Sequence, residues 1–147
     1  MTETSEDAQR YLDDMVARRG YVLDYHRVMA ANDFSVLKAA DALVTAAYLA
    51  PRRLSRATKE LLFVLSLTVL RADKAQIKSH LRVALELGVT PDELLEALEI
   101  ALPEAGVVAF QHGFDAWREV VDAPAINPSE SPQGVDTARD AGSPSVH

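Results

Sequence analysis

Apolar residues recur every three to four positions along this chain, and the runs are cut repeatedly by Gly, Pro and Asn, the pattern of a series of amphipathic helices. The first run predicts a helix from about Glu6 to Arg19, with Gly20 placed to stop it in a left-handed turn. Further helices are expected from about Tyr21 to Asn32 and from about Phe34 to Leu49, ahead of Pro51. The segment from about Ser55 to Arg71 is apolar almost all round at 61–65, which marks a helix buried at the centre of the fold or in an oligomer seam. A fifth helix runs from about Lys74 to Leu87 and ends at Gly88. The sixth opens on "TPDE" (90–93), where Thr90 is a good N-cap, Pro91 suits the first helical position and Glu93 completes a capping box. Pro103 then interrupts, and a seventh helix is expected from about Glu104 to Val121, with a stripe of Val107, Phe110, Phe114, Trp117 and Val121. No segment reads convincingly as a strand, so the predicted class is all-α.

Length and composition narrow the picture. A chain of 147 residues suggests one domain, here residues 1–122, and 48% hydrophobic residues are enough to build its core. Only 6% are aromatic, while Ala, Leu and Val abound, which suits close-packed helices. Residues 123–147, "APAINPSESPQGVDTARDAGSPSVH", lack any apolar period and read as a disordered tail. Of the formal charge of −7, the segment before residue 10 carries −3 and the tail −2, so the domain between them carries only −2. It has no basic stripe, and nucleic acid is not an expected partner. The absence of cysteine excludes disulfides, zinc-thiolate sites and thiol catalysis. "MTETSED" is too acidic and polar for a secretory signal, and "LLFVLSLTVL" (61–70) is too short to span a bilayer, so the expectation is a cytoplasmic protein with no membrane association.

No phosphate-binding loop, HExxH, Gly-x-Ser-x-Gly or calcium-loop spacing occurs, which leaves the histidines and a few charged residues as candidate chemistry. His80, three residues after Ile77 and four before Ala84, leans to the apolar side of its helix. Two readings stand side by side: a core histidine satisfied by a backbone carbonyl, or a general acid/base titrating near neutrality. His26 and His112 also lean inward, and three inward histidines are more than packing requires, because apolar side chains fill a core without a polar cost. No two of them lie at i, i+3 or i, i+4, so no metal is expected. Glu60 opens the most apolar helix, where a carboxylate caps the helix, pairs with a cation or has a raised pKa. If helices four and five run antiparallel, Glu60 and His80 meet only where the two cross obliquely. Asp73 with Gln76 reads as an N-cap pair. Arg52, Arg53, Arg56 and Lys59 form either a solvated face or a carboxylate clamp at the mouth of a pocket.

The runs "RLSRATKELLFVLSLTVL" (53–70) and "RADKAQIKSHLRVALELGVTPDELLEALEIALPEAGVVAF" (71–110) resemble the carboxymuconolactone decarboxylase family of the AhpD-like superfamily. The marks are Leu-Ser before "KEL", the inward His opening "HLRVALELGVTPDELLEAL", and the "EAG" that follows. The resemblance implies an AhpD-like helical bundle of about six to seven helices that assembles into trimers or hexamers. Carried over by position, Glu60 and His80 match the family's Glu and His, although the spacing between them is one residue longer here. The positions of the redox Cys-x-x-Cys of the peroxidase branch hold Asp73 and Gln76, so peroxidase activity by that route is excluded. The resemblance then implies a cofactor-free decarboxylase or isomerase acting on a small cyclic carboxylate or lactone from aromatic breakdown. In that reading His80, Glu60 and His26 are catalytic, while Arg53 and His112 bind substrate. The alternative is an oligomeric small-molecule-binding protein that keeps the fold without the chemistry.

Overall fold

Side-chain caps decide where most of the helices begin. The computed structural model describes residues 4–125. Helix α1 (Ser5–Arg19) starts at a capping box between Thr4 and Asp7 and ends at Gly20, whose φ of 90° is the left-handed stop expected there. Asp33 caps α3 (Phe34–Val44), and Ser55 caps α4 (Arg56–Val69) through the Thr58 amide at 3.1 Å. Asp73 caps α5 (Lys74–Glu86), its carboxylate accepting from the Ala75 amide at 2.8 Å. The Thr90/Glu93 box with Pro91 at the first position opens α6 (Pro91–Glu99) as the sequence predicts. A short α7 (Ala101–Ala105) and a long α8 (Val107–Val121) complete an all-helical fold, with no strand among the described residues. The predicted tail lies outside the described residues beyond 125.

Three boundaries differ from the periodicity, each for a local reason. Helix α2 spans Asp24–Asn32, because Tyr21–Leu23 form a non-helical link after the Gly20 turn. The helix predicted to Leu49 widens at Thr45–Leu49 into a π turn closed by the Ala50 amide on the Thr45 carbonyl at 2.9 Å. Pro103 does not punctuate: as the third residue of α7 it has no intrahelical bond to lose, and the break falls at Gly106, with φ 88°. The apolar stripe of α8 loses only its first member, since Phe110, Phe114, Trp117 and Val121 pack in the larger core. Val107 is exposed, and Ala109, Gly113, Ala116 and Trp117 are the buried residues.

Two apolar clusters result. The larger joins α4, α5, α6 and α8 through Val64, Leu67, Ile77, Leu81, Leu94, Leu98 and Trp117. The smaller joins α1, α2 and α3 through Leu12, Met15, Ala30 and Leu37. Helices α4 and α5, linked by a turn in which Arg71 takes a left-handed φ of 54°, pack against each other along their length. No helix among the described residues is long and apolar enough to cross a membrane.

Candidate functional site

The crossing of α4 and α5 brings Glu60 and His80 together. Nδ1 of His80 lies 2.7 Å from Oε2 of Glu60. Glu60 has no exposed surface and His80 is 2% exposed. A charge so placed must be held by donors, and Glu60 has two more. The Tyr48 hydroxyl donates to its Oε1, and Nε of Arg56, one turn earlier on α4, approaches the same oxygen at 3.4 Å. The π turn places Tyr48 there, and Lys59 holds the turn by donating to the carbonyls of Tyr48 (3.1 Å), Ala50 (3.3 Å) and Ala47 (3.4 Å).

On its other side His80 meets Tyr21. The hydroxyl lies 3.2 Å from Nε2, and the ring stands edge-on to the imidazole at 5.2 Å. The non-helical link after Gly20 delivers Tyr21 to this point. Gly20 itself approaches α5 so closely that a Cβ on it would lie 3.1 Å from Val83. Phe63 stacks on the imidazole face at 4.4 Å, and Tyr48 contributes a third ring at 5.8 Å. Arg56 closes the arrangement. It donates to the Arg18 carbonyl (3.1 Å), the Arg19 carbonyl (2.6 Å) and the Tyr48 hydroxyl (3.3 Å), tying the end of α1 to the site.

The electrostatics follow from burial. Desolvation pushes the Glu60 carboxyl above the usual carboxylate range, while the hydrogen bond and charge of His80 pull the other way. Burial pushes the Tyr21 phenol up to about 12, with the nearby Glu60 charge adding to the rise and Arg19 opposing it. Burial also lowers the Arg56 guanidinium from its ordinary value. The hydrogen-bonded chain has two complementary proton arrangements. With Glu60 ionised, Nδ1–H donates to the carboxylate and Nε2 accepts from Tyr21. With Glu60 protonated, the carboxyl donates to Nδ1 and Nε2–H donates to Tyr21. Passing from one to the other moves a proton from one end of the chain to the other.

The other sequence candidates sit elsewhere. Nδ1 of His26 accepts from the Leu23 amide at 2.9 Å, capping the start of α2, and its ring packs on Tyr25. Burial, then the Arg19 charge, depresses its pKa. Nε2 of His112 donates to the Ala72 carbonyl at 2.5 Å and pins the α4–α5 turn to α8. Arg53 lies exposed ahead of α4, beside Arg52 and Lys59. Among the described residues no hydrogen bond, ion pair or ring contact links these three to the Glu60–His80 pair, and no cluster of three or more His, Asp or Glu is placed to hold a metal. Sequence reasoning missed Tyr21, Tyr48 and Phe63 and read Arg56 only as part of a basic cluster. Arg56 stands at i, i+4 to Glu60, a legible pairing. The two tyrosines come from distant elements and carry no local signal.

An apolar cleft of about 710 Å³ runs along the outer face of α4, with Tyr48 and Phe63 in its wall. These two rings therefore separate the cleft from the buried pair. Residues 35–119, more than half of the chain, match the family model described as the carboxymuconolactone decarboxylase family. No curated protein and no solved structure matches the chain.

Proposed function

The chain belongs to the carboxymuconolactone decarboxylase family, and we propose that it is a cofactor-free acid/base enzyme that decarboxylates or isomerises a small cyclic carboxylate or lactone. The observation that carries this reading is the buried contact of 2.7 Å between Glu60 and His80, extended by Tyr21 to the partly exposed side of the site. In the decarboxylation, the C–CO₂ bond breaks and its electron pair moves into a conjugated carbonyl to form an enolate. A proton from the chain then reaches carbon, and solvent restores it. Tyr21, the exit of the chain, supplies that proton. His80 replaces it at once through Nε2, and Glu60 compensates the imidazole through Nδ1. His26 and His112 act as scaffold in this scheme, because one ring nitrogen of each is bonded to a backbone group and neither reaches the Glu60–His80 pair. We further propose a homo-oligomer, trimer or hexamer, supported by the exposed apolar residues Leu43, Leu102, Val107 and Val108.

The test is CO₂ release from γ-carboxymuconolactone by wild type and His80→Ala, with helical content compared by circular dichroism. Turnover that falls about 100-fold or more in a folded mutant supports the reading. Absence of wild-type turnover removes the named reaction.

The second reading, binding without chemistry, is favoured by one observation. Phe63 covers one face of the imidazole and Tyr21 occupies Nε2, so His80 has no open edge in this conformation. Against it stands the partner set of His80: the two scaffold histidines bond to backbone, whereas His80 bonds to two ionisable side chains.

A further inference from the structure

The cleft on the outer face of α4 has its own chemistry, separate from the buried pair. Its volume of about 710 Å³ lies within the range of small-molecule sites. Leu62 and Phe63 of α4, Leu70 at its C-terminal cap and Ile100 are among its lining residues. Leu62, Leu70 and Ile100 are 52%, 75% and 52% exposed, so the wall leaves much apolar surface in water. At the Lys59 end the cleft runs into a second pocket, which shares Ala47, Leu54 and Lys59 and adds Arg52 and Arg53. The Lys59 ammonium spends its donors on the carbonyls of the π turn. Arg52 and Arg53 are exposed, and neither has a hydrogen bond or ion pair among the described residues. Two adjacent guanidinium forks at one end of an apolar trough are complementary to a single carboxylate with an apolar body. From Lys59 to Leu70 the helix advances about 16 Å at ~1.5 Å per residue, close to the length of an extended chain of about twelve carbons.

We propose that this cleft binds an amphiphilic monocarboxylate, with the head group on Arg52 and Arg53 and the apolar chain along α4 between the π turn and α7. A small, doubly charged lactone would leave most of that wall wet, whereas an alkyl or aryl chain covers it. The inference stands apart from the acid/base reading, since it requires neither Glu60 nor His80 to do chemistry.

Calorimetric titration of the full chain with dodecanoate, below its micelle concentration, tests it. The expected result is saturable binding of one dodecanoate per chain. The double variant Arg52→Ala/Arg53→Ala should weaken it at least tenfold, and dodecanol should bind as weakly to wild type as dodecanoate does to that variant. Ser66→Trp, a substitution at an exposed position in the cleft wall, should abolish binding with helical content unchanged. Absence of saturable binding overturns the proposal, and so does binding that neither variant alters, which would be non-specific. A wild-type oligomer that binds no dodecanoate and that Ser66→Trp dissociates also overturns it, because the cleft is then covered by a second copy of the chain.

Discussion

Asp41 shows how much of this fold rests on single buried charges. Its carboxylate, 3% exposed on α3, accepts from Arg18 at 2.8 Å, from Tyr11 at 2.7 Å and from the buried Arg19. Burial alone would raise its pKa, but the hydrogen bonds from Arg18, Tyr11 and Arg19 together outweigh it and the net shift is downward. A carboxylate depressed in the folded state contributes stability that is present above its ordinary pKa of about 4 and is lost as pH falls through the lower folded value. Urea midpoints taken downward from pH 7 should therefore fall steeply below about pH 4, by more in wild type than in Asp41→Asn. At pH 7 that variant should be less stable by about 3–5 kcal/mol, because it strands Arg19 without a counter-charge. A flat difference between the two proteins across that range would contradict the assignment. Single residues of this kind were only partly legible. His80 leaning inward followed from spacing, and so did a carboxylate at Glu60 in an apolar helix. That Asp41 closes a buried charge cluster depends on α1 folding back onto α3, a contact spanning more than twenty residues that no local pattern encodes.

At the scale of elements, helix starts were legible where a familiar cap residue stood, as at Thr90, Asp73 and Ser55. They were not legible where geometry is set by packing. The π turn at Thr45–Leu49 has no sequence signature, yet it places Tyr48 on Glu60. The stripe of α8 is borne out from Phe110 to Val121, but it missed a buried line of small residues, Ala109, Gly113 and Ala116. Gly113 lies where α8 crosses α4, and a Cβ there would come 2.8 Å from Leu98 Cδ2 and closer still to both γ atoms of Thr68. Gly113→Ala should thus destabilise the bundle by about 1–3 kcal/mol through overpacking, despite the better helix propensity of alanine. Adding Thr68→Ala should recover part of the loss, since it removes the two nearest atoms in conflict and leaves only Leu98. Thermal melts of the two variants check this, and a Gly113→Ala protein as stable as wild type would show that the crossing has slack.

Across the whole molecule, one polar network joins the two apolar clusters. It runs from Asp41 through Arg18 and Arg19 of α1, by their carbonyls to Arg56, and on to Glu60 and His80. The N-terminal helices are thereby part of the site, although the family match begins only at residue 35. The all-α class and the family were readable from the "HLRVALELGVTPDELLEAL" run, because they depend on periodicity and motif. Glu60 and His80 meet across the α4–α5 crossing, with the left-handed Arg71 in the turn between their helices. Of the two readings of the apolar fourth helix, fold centre or oligomer seam, Val64 and Leu67 serve the first. What remains exposed at Leu43, Leu102, Val107 and Val108 leads us to expect an oligomer in light scattering coupled to size exclusion. A monomer at micromolar concentration would remove that part of the proposal. The central claim is that Glu60 and His80 act as one unit, and a double-mutant cycle on γ-carboxymuconolactone decarboxylation tests it most directly. Glu60→Gln and His80→Ala should each lower kcat/KM by about 100-fold or more, and the double mutant should be little worse than either. Losses that multiply, or a Glu60→Gln enzyme as active as wild type, would contradict it.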